Sequence, residues 1–519
     1  MASLVHHFFK VKGGTTETTP IPPTPPSRAA HVAVVGCCHG ELDAVYEACA
    51  AHEAATGRRI DFLLCCGDFQ AVRGAADLQG IAVPRAHRRL GDFAAYYRRE
   101  QQAPYLTLLI GGNHEVSDWL AEEAYGGFLA PNIYYIGHAG AVIVDGGITV
   151  AGISGIYKAY DYTRPYPPMP YYASETALRS AFHVRRIEVE KLKAFLHALE
   201  SVQVHQKQEK KEQHQEEATT SSVGNSSGSV PSYSAAAFPR VDLFLSHDWP
   251  VGITKYGDEA QLLRYKPFFE DDIRHAALGN PYTMPLLRAA RPRYWFAAHL
   301  HCQFEATVPF KEVDGVDVAA GVPQSTKFMA LDKCSKGKGF LDFFDIPVYD
   351  KNPKVEEKVD RKSEGMERVV HHPLWLEVLR ETHGLVAAND NTWSAESCAL
   401  RQYTPQQLEH LGLWLPANNT ASVLKALGLS TSPLQPQQQQ RQQPIVEKEK
   451  KWEPRLPPNS KHVGGAQTLV NGRDTKLKTP SCSSVAAADA SDNDSNGLVR
   501  IRRDAPDECD WTEDTAGAS

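Results

Sequence analysis

The sequence contains no apolar run approaching the roughly 20 residues that a membrane span needs. Its first 30 residues lack the apolar core and the cleavage pattern of a secretion signal. Positive charge is not in excess either. The formal net charge of -7 excludes a chain built wholly to coat nucleic acid, but leaves room for a local basic groove. We therefore expect a soluble protein that is neither secreted nor membrane-bound.

Signs of disulfide bonding are also few, although the chain contains 10 cysteines. Several cysteines lie in apolar, strand-like runs without a secretion signal, so reduced thiols in the cytosol or nucleus are expected. Two pairs, Cys37-Cys38 and Cys65-Cys66, are adjacent in the chain. Neighbouring side chains on a strand face opposite sides, so both members of a pair cannot serve one site. We expect Cys38, Cys65 and Cys66 to pack in the core.

Changes in composition predict the domain organisation of the 519 residues. A Gln/Glu/Lys-rich and then Ser/Gly-rich stretch interrupts the main domain, whose motifs resume after it. The Gln-, Ser- and Asp-rich end of the chain is too polar to bury a core. The predicted parts are a flexible extension over 1–30, a main domain over 31–346 with a low-complexity insertion at 204–239, a smaller C-terminal domain over 347–429, and a disordered tail over 430–519.

Hydrophobic periodicity predicts an α/β fold for the main domain. Short apolar runs that end in glycine or a polar residue read as buried strands, and segments with three- and four-residue apolar spacing read as helices. The predicted strands cover 31–36, 60–66, 106–110, 241–247 and 294–301, with an antiparallel meander over 133–156. The predicted helices cover 41–54, 84–100 and 175–200.

Metal-capable side chains follow each of the five buried strands. A single histidine or aspartate at a strand end is usually a hydrogen-bonded structural residue, so no position is informative alone. Together, however, they combine a carboxylate placed to bridge with imidazoles and an amide on both sides, which is what two neighbouring metal ions require. The candidates are Cys37 and His39, Asp68, Asn113 and His114, His247, and His299 and His301.

This series resembles the calcineurin-like metallophosphoesterase superfamily, whose pattern is D-x-H, G-D, G-N-H-E, H and H-x-H. Here it reads Cys37-x-His39, Gly67-Asp68, Gly112-Asn113-His114-Glu115, His247 and His299-x-His301. Cys37 stands where the pattern has its first acid. In this respect the chain resembles the RNA lariat debranching enzymes within the superfamily. The resemblance implies a β-sandwich flanked by helices, followed by a smaller C-terminal domain.

The same resemblance implies two metal pockets that share Asp68. One comprises Cys37, His39, Asp68 and His301, and the other comprises Asp68, Asn113, His247 and His299. A thiolate is softer than a carboxylate and favours zinc or ferrous iron over magnesium. Two divalent ions are therefore expected, drawn from Fe(II), Zn(II) and Mn(II).

The implied reaction is metal-dependent hydrolysis of the 2'–5' phosphodiester at the branch point of an excised intron lariat. His114 is expected to protonate the departing 2' oxygen, with a structural hydrogen bond to the metal shell as the alternative role. Glu115 is expected to orient His114 or its loop. Two other functions stay open: a phosphoesterase that acts on another phosphoester, and a catalytically inactive, splicing-associated scaffold.

Candidate RNA contacts come from cations interleaved with aromatics. The stretch 85–99 offers Arg85, Arg88 and Arg89, although an amphipathic helix with a solvated basic face explains it equally well. Tyr134 and Tyr135 are a second set of candidate RNA-contacting residues. Further candidates for phosphate contacts are Arg73, which alternatively holds its own loop, His183 and Arg185.

The resemblance also implies the partners of this chain. Branched lariat RNA is the expected substrate, and splicing-linked proteins are expected to bind through the C-terminal tail. We expect a monomer without a membrane partner. A nuclear location follows from the substrate, with the cytoplasm as the alternative.

Overall fold

Two β-sheets form the centre of the protein. The computed structural model describes residues 28–145, 147–219, 240–310, 323–348, 368–388, 393–398 and 418–429. The first sheet has six strands in the order β12-β1-β2-β3-β5-β4. Strands β1, β2, β3 and β5 run parallel, while β12 and β4 are antiparallel edges. Its strands are β1 Arg28–Val35, β2 Phe62–Cys65, β3 Thr107–Leu109, β4 Gly127–Ala130, β5 Ile133–Tyr135 and β12 Leu341–Val348.

The second sheet has seven strands in the order β10-β11-β9-β8-β7-β6-β13. Strands β7, β8, β9 and β11 run parallel, and β6, β10 and β13 pair with their neighbours antiparallel. Its strands are β6 Ala139–Val144, β7 Ile148–Ile153, β8 Leu243–Ser246, β9 Tyr294–Ala297, β10 Phe304–Pro309, β11 Ser325–Ala330 and β13 Val369–His371.

An apolar layer from both sheets lies between them. Val34 and Leu64 of the first sheet belong to the same buried cluster as Val150, Leu245 and Phe296 of the second. These aliphatic and aromatic side chains suit a pleated surface that is covered on both faces. The two sheets therefore form a sandwich whose parallel strands can present their carboxyl ends at one edge.

Helices cover the outer faces of the sandwich. Leu42 and Val45 on α1 are buried, and Tyr46 bonds Thr107 of β3 at 2.9 Å between their hydroxyl oxygens. Buried side chains of α6, α9 and α10 join Phe244 and Trp295 in a second apolar cluster. The helices are α1 Leu42–Thr56, α2 Phe93–Tyr97, α3 Ser117–Glu122, α4 Ala159–Tyr162, α5 Glu175–Ala181, α6 Arg186–Thr219, α7 Glu259–Tyr265, α8 Glu270–Arg274, α9 Thr283–Ala290, α10 Pro373–Ala388 and α11 Thr420–Ala426.

The predicted α/β architecture is confirmed, but three predicted elements are wrong in detail. The expected helix over 84–100 is a 3-10 turn, Arg85–His87, followed by the short α2. The expected helix over 175–200 breaks between α5 and α6, where Val184 pairs its amide with Ile156 instead. Backbone pairing to a distant segment thus overrides local helix propensity in that stretch.

The third correction concerns the predicted meander over 133–156. Its first run became β5, which pairs parallel with β3 in the first sheet, whereas β6 and β7 form an antiparallel pair in the second. Gly137 separates β5 from β6 and has a φ of 111°, a backbone conformation that side chains with a Cβ rarely adopt. The chain therefore crosses from one sheet to the other at a point that periodicity does not reveal.

The C-terminal segments pack directly on the second sheet. β13 pairs antiparallel with β6, and α10 packs against α6. Trp375 and Leu379 of α10 are fully buried. Helix α6 continues to Thr219, into the stretch predicted as an insertion. Three predicted regions lie outside the described residues: the rest of that stretch, the first 27 residues and the tail. None of the described helices has a segment long and apolar enough to cross a membrane.

Candidate metal centre

Loops after five parallel strands place the predicted ligands at one edge of the sandwich. Cys37 and His39 follow β1, Asp68 follows β2 and Asn113 follows β3, all from the first sheet. The second sheet supplies the others: His247 follows β8, and His299 and His301 follow β9. Because the carboxyl ends of parallel strands meet at a common edge, residues far apart in the chain converge there.

The four residues of the first predicted pocket lie together. One ligand atom each from Cys37, His39, Asp68 and His301 lies within 4.8 Å of the others. The Nε2 atoms of His39 and His301 are 3.1 Å apart, and His39 Nε2 is 3.8 Å from Asp68 Oδ2. The backbone amide of His299 donates to Cys37 Sγ at 3.3 Å, a contact that favours a negative sulfur.

The second predicted pocket lies on the other side of Asp68. His247 Nε2 is 3.1 Å from Asn113 Oδ1 and 3.3 Å from Asp68 Oδ1, and the rings of His247 and His299 are 5.0 Å apart. Each carboxylate oxygen of Asp68 therefore faces a different pocket. That arrangement fits a bridging ligand between two metal ions.

The donor set fits divalent cations in charge as well as position. Burial lowers the pKa of His39 and His299 to about 3 and that of His301 to about 2, so these imidazoles are neutral with lone pairs for a metal. Burial alone would raise the pKa of Asp68, but His247 and His114 beside it hold that pKa well below its usual range. At neutral pH the centre therefore presents an ionised carboxylate beside the neutral imidazoles of His39, His299 and His301.

A hydrogen bond outside the pockets orients His247. Its Nδ1 donates to the carbonyl of Cys66 at 2.7 Å, which leaves Nε2 to face Asp68 and Asn113. Burial opposes a positive charge on His247, yet Asp68 raises its pKa above the ordinary value.

Four of the candidate ligands have a strained backbone. His39, Asp68, His299 and His301 all have positive φ values, 52°, 47°, 68° and 47° respectively. Residues other than glycine rarely adopt this conformation, and it persists where the surrounding structure holds it in place. The tight turns after the strands thus aim these side chains back over the sheet edge.

Two glycines allow the ligands to approach one another. A Cβ on Gly67 would overlap the His247 ring, and a Cβ on Gly112 would overlap both the Asp68 carboxylate and that ring. These positions explain why glycine precedes Asp68 and Asn113 in the two motifs.

Glu115 holds two loops of the site together. Its carboxylate accepts backbone N–H groups from Phe69 at 2.7 Å, Gln70 at 2.9 Å and Gly112 at 3.1 Å. Burial and the nearby Asp68 raise its pKa to about 7. The predicted orienting role of Glu115 is seen here on the loops.

Gln70 is a site residue that the sequence pattern did not single out. Its side-chain amide contacts His39 Nδ1 at 3.3 Å, and its φ is 60°. The sequence feature that could have pointed to Gln70 as a site residue is its position two residues after Asp68.

His114 lies beside the metal pockets rather than inside them. Its Nδ1 is 3.4 Å from Asp68 Oδ2, its amide donates to Asp68 Oδ1 at 2.9 Å, and its ring is 5.4 Å from that of His39. His114 therefore contacts Asp68, the residue shared by the two predicted pockets, through both its ring and its backbone.

Arginines predicted to touch RNA make intramolecular contacts. Arg73 forms a bidentate pair with Asp77 and lies 4.5 Å above the Trp119 ring, so it holds its own loop. Arg88 donates to the carbonyls of Val83 and Leu78. Arg89 pairs with Glu41 and donates to the carbonyl of His39, which places it at the rim of the first pocket. Arg85 is exposed.

Four predicted RNA contacts are corrected by their burial. Tyr134, Tyr135, His183 and Arg185 each expose no more than 1% of their surface. Tyr134 and Tyr135 lie on a central strand of the first sheet, so their rings pack inside the fold. His183 pairs with Asp161 at 2.7 Å, and Arg185 donates to the backbone of the α5–α6 connection. These side chains support the fold and form no accessible RNA surface.

The predicted core cysteines are buried. Cys38, Cys65 and Cys66 are at most 1% exposed, and burial raises the pKa of each thiol. Within the described part of the chain, none of the eight cysteines forms a disulfide.

Comparison with protein families agrees with this geometry. Residues 30–303 match the family described as calcineurin-like phosphoesterase, and residues 323–458 match the family described as lariat debranching enzyme, C-terminal domain. The first match covers more than half of the chain, which therefore belongs to the calcineurin-like phosphoesterases.

Individual relatives show what kind of calcineurin-like phosphoesterase this chain is similar to. The chain is 38% identical to the lariat debranching enzyme of Drosophila pseudoobscura pseudoobscura over 388 residues, and 39% identical to that of Drosophila melanogaster over 389 residues. It is 40% identical to the lariat debranching enzyme of Homo sapiens over 363 residues. These alignments cover 69%, 69% and 70% of this chain but only 62%, 62% and 56% of the relatives. The chain thus spans between half and two thirds of their length.

Proposed function

We propose that this chain is a metal-dependent lariat debranching nuclease, which hydrolyses the 2'–5' phosphodiester at the branch point of excised intron RNA and so acts in intron turnover. The observation that carries the proposal is the sulfur of Cys37 among the ligand atoms of a calcineurin-like centre, within 4.8 Å of donors from His39, Asp68 and His301. The similarity to lariat debranching enzymes at 38–40% identity supports it.

The residues that would hold the metals are those of the two pockets described above, with Asp68 shared between them. A divalent cation bound there supplies Lewis acidity, which polarises a phosphoryl oxygen and lowers the pKa of water. The mixed sulfur, nitrogen and oxygen donors of the first pocket favour Fe(II) or Zn(II), with Mn(II) a further candidate for the pair.

His114 is the proposed general acid. Its ring borders both pockets through Asp68 and is nearly buried, so its position is well defined. An imidazole held beside the scissile bond can pass a proton to the departing 2' oxygen. The Asp68 carboxylate, which lies 3.4 Å from Nδ1, helps to hold the ring in that place.

Arg89 and Arg85 are proposed to receive the RNA backbone at the rim. Arg89 lies against the His39 carbonyl, and both side chains are exposed. Guanidinium groups at this position would neutralise phosphates that flank the branch.

A branched RNA with a quenched fluorophore, compared with a linear 3'–5' RNA of the same sequence, tests the proposal. We expect metal-dependent cleavage of the branched RNA and not of the linear one. Hydrolysis of an aryl phosphate without branch cleavage would instead identify a phosphoesterase for another substrate. A protein that binds branched RNA without any turnover in Fe(II), Zn(II) or Mn(II) would be a scaffold.

We further propose that the chain acts in the nucleus, where intron lariats are released, as a monomer, and that proteins linked to splicing bind its C-terminal tail. Imaging of the tagged full chain tests the location. Light scattering tests the monomer, and affinity purification with and without residues 430–519 tests the tail. A cytoplasmic signal alone would contradict the proposed location.

A further inference from the structure

An exposed aromatic patch follows α7. Phe268 and Tyr265 expose 67% and 57% of their surface, more than any other large hydrophobic side chain in the described residues. Pro267 begins a 3-10 turn after α7, and the buried Phe269 ring packs edge-on against Phe268 at 4.7 Å between centroids. The 3-10 turn therefore holds the Phe268 ring outward, next to the exposed Tyr265 at the end of α7.

Two lysines accompany the rings. Lys266 Nζ lies 5.7 Å from the centroids of both Tyr265 and Phe268. Lys338 Nζ lies 5.9 Å from the Tyr265 centroid and donates to its hydroxyl at 3.2 Å. We call Tyr265, Lys266, Phe268 and Lys338 the aromatic platform.

Acidic side chains lie near the two lysines. Asp332 forms an ion pair with Lys338 at 3.8 Å. Glu270 and Asp271 on α8 pair with Arg274 at 3.7 Å and 2.9 Å. Lys266 and Lys338 are cationic side chains that lie against the aromatic rings of the platform.

One loop connects the platform to the metal centre. The loop between β11 and β12 carries Lys338, and its Cys334 amide donates to the carbonyl of the ligand Cys37 at 2.8 Å. Its Phe340 carbonyl accepts the Gly36 amide at 2.9 Å. The loop that carries Lys338 is therefore anchored to the backbone on both sides of the start of the first pocket, at Gly36 and Cys37.

The combination of faces and charges points to one kind of partner. Exposed aromatic rings give single-stranded nucleic acid a surface on which bases stack, and lysines beside them neutralise its phosphates. A protein partner could use the rings, but two lysines against the ring faces, in a chain proposed to act on RNA, favour RNA.

We propose that the aromatic platform binds a single-stranded arm of the RNA substrate through base stacking on Tyr265 and Phe268 and phosphate contacts from Lys266 and Lys338. The proposal rests on the function proposed above. It makes the platform a positioning surface that raises affinity for long substrates without entering the reaction.

The first test measures binding of a labelled single-stranded RNA by fluorescence anisotropy. The protein is the metal-free full chain, so turnover plays no part. Tyr265→Ala/Phe268→Ala should weaken binding roughly 30-fold or more, because it removes two rings and stacking of one base contributes about 1–3 kcal/mol. The matched control, Tyr265→Phe/Phe268→Tyr, keeps both rings and should bind as the unmodified chain does. Equal affinity of the alanine and control variants would overturn the proposal.

The second test compares a minimal branched RNA with one that carries extended arms. The alanine variant should raise KM for the extended substrate and leave kcat unchanged, while both parameters for the minimal branch stay unaltered. Lys266→Gln/Lys338→Gln should reduce the slope of log affinity against log salt by roughly 0.7 for each phosphate that is no longer neutralised. A KM that rises equally on both substrates would contradict a role for the platform in holding an arm.

The two tests separate this proposal from the proposed function. If the unmodified chain fails to cleave any branched RNA, debranching is wrong, while the anisotropy comparison still decides whether the platform binds RNA. If branched RNA is cleaved but the alanine variant matches the unmodified chain in both assays, only the platform proposal is wrong. Unaltered RNA binding with loss of a bound protein partner would assign the surface to protein recognition.

Discussion

Cys37 brings sulfur into a pocket whose other ligand atoms are nitrogen and oxygen. A single thiolate cannot chelate through two atoms as a carboxylate can, and it is a softer donor. We therefore expect Cys37 to influence the choice of metal more than the other predicted ligands do. Cys37 is fully buried, and the backbone amide that donates to its sulfur belongs to His299, which follows a strand of the other sheet.

Replacing Cys37 with aspartate should alter metal preference. Cys37→Asp restores a hard donor, so we expect a shift from zinc and iron towards manganese in protein purified from medium with equal supplies of each. Elemental analysis measures the shift. Cys38→Ala is the matched control, because Cys38 is buried outside both pockets, and it should keep the original profile. An unaltered profile in Cys37→Asp would show that Cys37 is not a ligand.

His114 is the residue with the largest predicted effect on turnover. His114→Ala should leave metal content unchanged and lower branch cleavage by about two to four orders of magnitude, the usual contribution of a positioned acid. Metal analysis and single-turnover cleavage are the two measurements. Turnover equal to that of the unmodified chain would mean that another group protonates the leaving oxygen.

The glycines after β2 and β3 allow the ligand side chains to approach one another. In Gly112→Ala the new Cβ must displace Asp68 or His247, so metal affinity should fall by roughly 10- to 100-fold, as for other groups that orient ligands. Isothermal titration with Mn(II) measures this.

A glycine outside the site provides the control for that substitution. A Cβ added to Gly384, which lies on α10, would meet no other atom within 4 Å, so Gly384→Ala should bind metal normally. Alanine in a helix interior should also stabilise the fold by about 0.5–1 kcal/mol. A metal affinity that is equal in the two variants would contradict the steric argument.

β13 introduces a pH dependence of stability. Burial lowers the pKa of His371 to about 4, so the folded state resists a proton that the unfolded state accepts at about 6.5. The contribution of neutral His371 is fully present above pH 6.5 and is lost as the pH falls towards 4, by about 2 kcal/mol at pH 5.

His371→Leu tests this linkage at a site near the Tyr134 ring, where the ring centroids are 6.4 Å apart. The difference in the free energy of unfolding between pH 7 and pH 5 should be smaller in the variant by about 2 kcal/mol. Denaturant titrations at both pH values provide the measurement. Identical differences in the two proteins would mean that the pKa of His371 is the same in the folded and unfolded states.

Across the whole molecule, the metal centre joins the two sheets. Cys37, His39, Asp68 and Asn113 follow strands of the first sheet, whereas His247, His299 and His301 follow strands of the second. Each pocket takes ligands from both, so bound metals would act as cross-links between the two halves of the sandwich.

Removal of the metals should therefore lower thermal stability. A ligand that binds only the folded state at about 1,000 times its Kd stabilises it by about 4 kcal/mol, so chelation should reduce Tm by several degrees and readdition should restore it. Asp68→Asn, which weakens the shared ligand, should show a smaller change. A Tm that does not move after confirmed metal loss would mean that the sheets hold the edge together without the ions.

Short-range patterns determined the buried strands, α1 and the metal-ligand candidates, because alternation and strand-end polarity are local properties of the chain. Tertiary structure alone decided that Tyr134 and Tyr135 are interior, since nothing local tells an aromatic on a central strand from one at a surface. It likewise decided that β5 and β6 lie in different sheets and that Arg73 holds its own loop. Those outcomes depend on which distant segments pair, and pairing is settled by packing across the whole fold.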